Sequence, residues 1–203
     1  MDLVADVSLV AGIAGTVLFV VTFLLDGLTR PGYDPVRHPV SALALGGRGW
    51  VQTANFLVSG LLVTAAAPGL HAATGSGWLA ASVAVFGLAL LASGVFPMDP
   101  MRGYPPGTPD VTPTTYSRRH QVHDWAGVVV FGSLPVAALA AALALDDRRW
   151  AVLSGAAAAG LVVLFLWFGS AWERDSPRAG LVQRAYIIVG WAWLGALCWH
   201  LLP

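Results

Sequence analysis

The sequence predicts an all-α protein, an integral membrane bundle of six transmembrane helices with its polar loops gathered on one face. Three observations predict it. Of 203 residues, 57% are hydrophobic and 11% charged, with a mean hydropathy of +0.70, which leaves too little polar surface to cover a soluble globule. The apolar residues fall into six runs, each near the ~20 residues that a helix needs to cross ~30 Å of hydrocarbon. Residues capable of chemistry collect in the first, third and fifth connections between those runs, which six crossings place on one side of a membrane. The whole chain, 1–203, reads as a single domain.

The first run covers about residues 7–25. Asp2 and Asp6 precede it and no basic segment does, so it reads as an uncleaved span and not as a signal peptide. In the first connection, DGLTRPGYDPVRHPVSALALGGRG, prolines 31, 35 and 39 keep the first half extended, while VSALALGG suits a turn or two of amphipathic helix at the interface, capped by Ser41. Trp50 marks the interface, and the second run, about 51–70, carries Gln52, Asn55 and Ser59 at i, i+3 and i+7. That stripe serves either hydrogen bonding between helices or the wall of a cavity.

A short turn at 71–77 leads to the third run, about 78–96. The next connection, FPMDPMRGYPPGTPDVTPTTYSRRHQVHDWAG, holds six of the 13 prolines, so residues 97–114 cannot be helical and should fold as a lid over the bundle. Beyond it His120, His123 and Asp124 fall at i, i+3 and i+4, and Gly127 continues that helix face with room for an approaching group. The fourth run is about 122–145, a tight turn follows at 146–149, and the fifth run is about 150–172. Glu173, Arg174, Asp175 and Arg178 crowd the last connection, with Gln183 and Arg184 just inside the sixth run, about 181–202. Gly12 and Gly15, Gly155 and Gly160, and Gly190 and Gly195 suit close helix packing, while Pro68 and Pro135 should kink or end their helices. Trp191, Trp193 and Trp199 read as packing or interface residues, Cys198 as a small apolar residue, and His200 as idle.

The segments RPGYDPVRHPVSALALGGRGWVQTANFLVSGLL, GVFPMDPMRGYPPGTPDVTP followed by HQVHDWAG, and QRAYIIVGWAWL resemble, in order and spacing, the bacterial membrane family known as domain of unknown function 998. The resemblance spans nearly the whole chain. It implies six spans in a bacterial cell membrane and supplies no reaction. It also bears on orientation, because relatives carry basic second and fourth connections, which implies polar loops outside and cytoplasmic termini. Counting arginines gives the opposite answer: nine lie in or beside connections one, three and five, and two, Arg148 and Arg149, on the other side.

The formal net charge of zero offers no footprint for nucleic acid, and a lone cysteine excludes an intrachain disulfide. The leading reading of the polar face is a pocket for a membrane lipid or other small amphipathic or isoprenoid molecule. Arg37, His38, Arg118, Arg119 and Arg184 would hold its head, with Gln52, Asn55 and Gln183 lining the site. His123 with Asp124 would act as an acid–base pair, with His120 and Asp99 beside them. No cofactor is required by this reading. An alternative is a metal-dependent hydrolase with zinc on His38, His120 and His123, although HxxH is not a zincin signature. A further alternative is a transporter, sensor or structural subunit in which the polar residues only tie loops together.

Overall fold

A computed structural model describes residues 3–203. Six helices run α1 Leu3–Thr29, α2 Gly49–Thr74, α3 Gly77–Val95, α4 Arg118–Ala144, α5 Arg148–Glu173 and α6 Ala179–His200, all long and apolar enough to cross a membrane. There is no strand among the described residues. Each helix packs on the next in sequence, and α6 closes onto α1, so the bundle is a ring of antiparallel neighbours. The start of α1 and the end of α6 lie at one end of the ring, and the first, third and fifth connections lie at the other.

The short turns are made by caps. Gly75 takes the left-handed conformation, φ 67°, that ends α2, and the Ser76 hydroxyl accepts from Leu79 N at 3.2 Å to start α3. Asp147 accepts from Arg149 N at 2.8 Å and starts α5. Ser117 caps α4 by accepting from His120 N at 3.1 Å. That cap starts α4 four residues before the apolar run and puts Asp124 in its second turn, beyond the reach of the helix-end dipole. Pro68 and Pro135 lie inside α2 and α4, which continue past them. In a bilayer, neighbouring helices and local adjustment can absorb the missing donor.

Enclosure around the ring is uneven: 61% of the most apolar stretch of α6 is buried, against 17% for α5. Small residues explain the first figure. A Cβ on Gly190 would sit 2.8 Å from Leu134 Cδ1, and one on Gly195 2.6 Å from the Thr16 hydroxyl, so α6 approaches α4 and α1 closely. Gly12 and Gly15 likewise meet Ala66, Cys198 and Leu62, whereas Gly160 faces open space and contributes no such contact. Between the helices sits an aromatic core in which Phe19 and Trp191 stack with centroids 4.1 Å apart and Phe86 meets Trp191 edge-on at 5.2 Å. Trp193 is also buried and donates to Ser154 Oγ at 3.1 Å, while Trp199 is exposed. His200 stacks on Trp150 at the end away from the polar connections.

The first connection dips into the bundle instead of lying on its surface. Its VSALA segment forms a 3₁₀ turn, Val40–Ala44, with Val40, Ala42 and Leu43 buried. Ser41 does not cap that turn; Pro39 stands at the cap position, without a side-chain bond. Of residues 97–114, the inner part tucks in, burying Met98, Met101, Arg102 and Tyr104, and most of the outer part is exposed.

Candidate functional site

Two adjoining cavities occupy the polar end of the bundle. An outer cleft of about 270 Å³ opens between α4 and α5; from α4 it is lined by His123, Asp124, Gly127, Val128 and Phe131, from α5 by Phe165, Phe168, Gly169 and Trp172. An inner cavity of about 50 Å³ lies among Phe19, Phe56, Phe86, Tyr186 and Trp191. Ser41, His123, Gly127, Phe131 and Gln183 line both, so they form the throat where cleft meets cavity. Helical spacing puts each lining stripe on one helix face: 123, 124, 127, 128 and 131 on α4, and 165, 168, 169 and 172 on α5. A Cβ on Gly127 or Gly169 would meet nothing within 4 Å, so neither glycine is there for packing; each leaves the cleft open.

His123 is buried, and its Nδ1 is pinned by two backbone carbonyls of the α3 end, Phe96 O at 2.8 Å and Ser93 O at 3.3 Å. Carbonyls only accept, so Nδ1 carries the proton and Nε2 of the neutral ring holds a lone pair. Gln183 is pinned likewise: its Oε1 accepts from Val40 N at 2.7 Å, which leaves its NH₂ group as a donor. Only Asp6 Oδ1 and Gln52 Nε2 are fully enclosed without a partner among the described residues. Nε2 of His123 and Nε2 of Gln183 also make no hydrogen bond there, and therefore border open cavity space. Ser41 Oγ donates only to Met98 Sδ, at 3.4 Å, a weak acceptor.

The expected acid–base cluster is partly assembled. His120 Nδ1 accepts from Asp99 N at 2.8 Å, so its other nitrogen carries the proton and points at Asp124 Oδ2, 3.1 Å away. Asp124 is half exposed at the cleft mouth and is paired with His120, not with His123. Asp99 braces the α4 cap residue: its carboxylate accepts from Ser117 N at 2.7 Å and Ser117 Oγ at 2.6 Å. Burial pushes its pKa up, but those two hydrogen bonds and His120 outweigh it and hold the carboxyl below its usual value.

The expected head-group arginines are spent elsewhere. Arg37 makes a two-pronged pair with Asp110, at 3.0 and 2.6 Å, a partner the sequence reading did not single out. Arg184 donates to the carbonyls of Pro35, His38 and Gly180 and to the Tyr33 hydroxyl. His38 accepts from Asp34 N at 3.0 Å and donates to Arg102 O at 3.1 Å; burial pulls its pKa down, so it stays neutral as a strut between the first and third connections. Arg102 pairs with Asp175 at 2.9 Å, donates to Trp172 O at 2.9 Å and lies 3.9 Å over the Trp172 ring, which fastens the third connection to the end of α5 and to the cleft rim. Arg118 and Arg119 are exposed, unpaired among the described residues, and line neither cavity.

Gln52, Asn55 and Ser59 form a hydrogen-bonded ladder facing α1, in which Asn55 donates to Phe19 O at 3.1 Å and to Gln52 Oε1 at 3.3 Å. Ser59 donates to Asn55 Oδ1 at 3.2 Å, and none of the three lines either throat cavity. His38, His120 and His123 do not converge. Among the described residues no three His, Cys, Asp or Glu side chains are grouped so that they could hold a metal ion, so the zinc constellation is not assembled. A buried ion cluster that the sequence did not reveal sits beside the site: Asp26 is held by Arg30 and Arg48, and Arg30 also reaches Leu43 O, Leu45 O and Tyr104.

The class is thus a six-helix membrane-spanning bundle with its polar connections knitted into a lid and a side cleft beneath it. The profile of the family described as "Protein of unknown function (DUF998)" matches residues 13–200, and the chain belongs to that family. No curated protein and no solved structure matches it significantly.

Proposed function

We propose that this protein binds one lipid-like molecule, which enters sideways from the bilayer between α4 and α5, and that His123 Nε2 meets its polar end. The observation that carries this reading is a cleft between two spans whose walls are apolar and whose inner end holds an unpaired imidazole nitrogen. The depth suits a membrane ligand: His123 lies six residues inside the Ser117 cap, about 9 Å at 1.5 Å per residue, and Phe131 roughly 21 Å inside it. Apolar walls with a few convergent polar groups are the usual make-up of a small-molecule site. A neutral imidazole there can also take a proton from the bound group, which gives the site a route to acid–base chemistry. The reading goes with residence in a bacterial cell membrane with cytoplasmic termini, as the family resemblance implies.

Native mass spectrometry of the detergent-purified protein tests the reading. Gly127→Leu and Gly169→Leu each add a side chain at a cleft-lining position where its Cβ meets nothing within 4 Å, and Gly160→Leu adds one at an equally open Cβ position on α5 away from the cleft. Wild type and Gly160→Leu should retain one lipid-sized adduct, and the two cleft variants should lose it. Equal retention by all four proteins would overturn the reading.

A further inference from the structure

We infer that the polar end recognised at the throat is an uncharged hydroxyl, as on a long-chain alcohol or a monoacylglycerol, and not a phosphate, carboxylate or ammonium group. The inference rests on the lateral-cleft reading above and names the ligand class of that site.

Three free polar groups are available. His123 Nε2 is an acceptor by its tautomer, because both contacts of Nδ1 are carbonyls. The Gln183 NH₂ group is a donor by its orientation, because Oε1 is held by Val40 N. Ser41 Oγ has both capacities and only a thioether as partner. A hydroxyl donates one hydrogen bond and accepts two, so it can donate to His123 and accept from Gln183 or Ser41 at once. A phosphate or carboxylate is acceptor-only when ionised. Against His123 it would face a lone pair, and the nearest formal charge lining the cleft is the Asp124 carboxylate, which repels it.

No cation compensates. Arg37, Arg102 and Arg184 make the lid contacts described above, Arg30 and Arg48 hold Asp26, and none of these five lines either cavity. An ammonium group could use His123 and the remaining oxygen of Asp124, but it would set its donors against the Gln183 NH₂ group and would carry a charge between two spans, which a hydroxyl does not.

The test uses photoreactive C16 probes on one diazirine-bearing chain, ended by a hydroxyl, a carboxylate, a phosphate or an ammonium group, with purified wild-type protein in detergent at pH 8. Labelled peptides are mapped by mass spectrometry, with Gly127→Leu as the blocked site. The hydroxyl probe should label the segments around 127–131 and 165–172 saturably, at a concentration at least tenfold lower than any charged probe, and Gly127→Leu should abolish that labelling. Labelling by a charged probe at equal or lower concentration overturns the hydroxyl assignment and leaves the cleft standing. If no probe labels those segments saturably, or Gly127→Leu changes nothing, the cleft reading falls and this inference with it.

Discussion

His123 has two nitrogens with separate tasks, and two substitutions divide them. In His123→Asn the side-chain NH₂ falls close to the position of Nδ1 and can still donate to Phe96 O and Ser93 O, but nothing replaces Nε2. In His123→Gln the terminal NH₂ or oxygen reaches the position of Nε2, while both carbonyls lose their donor. Phe96 O and Ser93 O sit where the third connection leaves α3, and a buried acceptor left unpaired costs about 1–3 kcal/mol. At ~2–4 °C per kcal/mol for a chain of this length, His123→Gln should melt lower by roughly 2–12 °C and His123→Asn close to wild type. Binding should show the reverse pattern. Losing one neutral hydrogen bond, worth ~0.5–1.5 kcal/mol, weakens ligand retention in His123→Asn by about 2–13-fold, whereas His123→Gln keeps a polar atom at the throat. Any proton-transfer activity should fall by ~10²–10⁴-fold in both. Thermal melts in detergent, run beside adduct occupancy in native mass spectra, read both columns. If the two variants lose stability equally and retain ligand equally, the division of labour between the nitrogens is refuted.

The ion cluster at Asp26 should separate its two arginines. Asp26→Asn leaves buried Arg30 without its counter-charge, which costs ~3–5 kcal/mol, less whatever the Leu43, Leu45 and Arg48 carbonyls recover; Arg48→Ala removes a half-exposed partner and should cost ~1 kcal/mol or less, as melting temperatures will show. Alkaline pH should destabilise the lid through Tyr33, whose hydroxyl burial pushes its pKa up to about 12 despite Arg184. A raised value favours the protonated fold, so that contribution is complete below about pH 10 and is lost as pH rises towards 12; melting curves should fall there less steeply for Tyr33→Phe than for wild type. Asp99 has the opposite sign, because its folded value is depressed: its contribution is present above about pH 4 and disappears on further acidification, a loss that Asp99→Asn should not show.

Six spans were legible in the sequence because hydropathy acts through composition, and a run of ~20 apolar residues has few other uses. The start of α4 is legible as well: beyond the last proline of the connection a helix can restart near Tyr116 or Ser117, and Ser117 caps it there, although the first turn from Arg118 to Gln121 carries no hydropathy signal. His123 and Gly127 were legible as a face, since helical spacing is local. What His123 does with each nitrogen was not, because its partners are backbone carbonyls about 30 residues away. The internal partners of Arg37 and Arg184 are hidden for the same reason: an arginine's partner depends on tertiary placement, and here it is Asp110 for one and the carbonyls of Pro35 and His38 for the other. Ser41 was set aside as a cap because its place in the throat follows from a turn that dips inward. The apolar character of Val40, Ala42 and Leu43 is the available sign in the sequence. The aromatic stripe Phe165, Phe168 and Trp172, interrupted by Gly169, could have pointed to the second wall of the cleft.

The separation of charges in this molecule argues for the same class of ligand as the throat does, and independently of it. In the polar connections Arg37 pairs with Asp110 and Arg102 with Asp175, so the arginines that tie the lid together are matched within it. On the lateral-entry reading the cleft opens between spans, so an ionised group on the entering molecule would cross hydrocarbon to reach it. Placing a charge at such a level costs at least ~2.5–3.5 kcal/mol on insertion scales. A hydroxyl avoids most of that cost, and its remaining requirement, one donor and one acceptor, is what Gln183 and His123 offer at the inner end. If the lid instead delivered ligands from water, an unpaired cation lining the cavities would be expected. Of the free ones, Arg174 and Arg178 line neither cavity, and nor do Arg118 and Arg119, on the exposed first turn of α4. Neutralising both should therefore leave cleft labelling by the hydroxyl probe unchanged, and a large loss in Arg118→Gln/Arg119→Gln would move the entry route from the bilayer to the aqueous face.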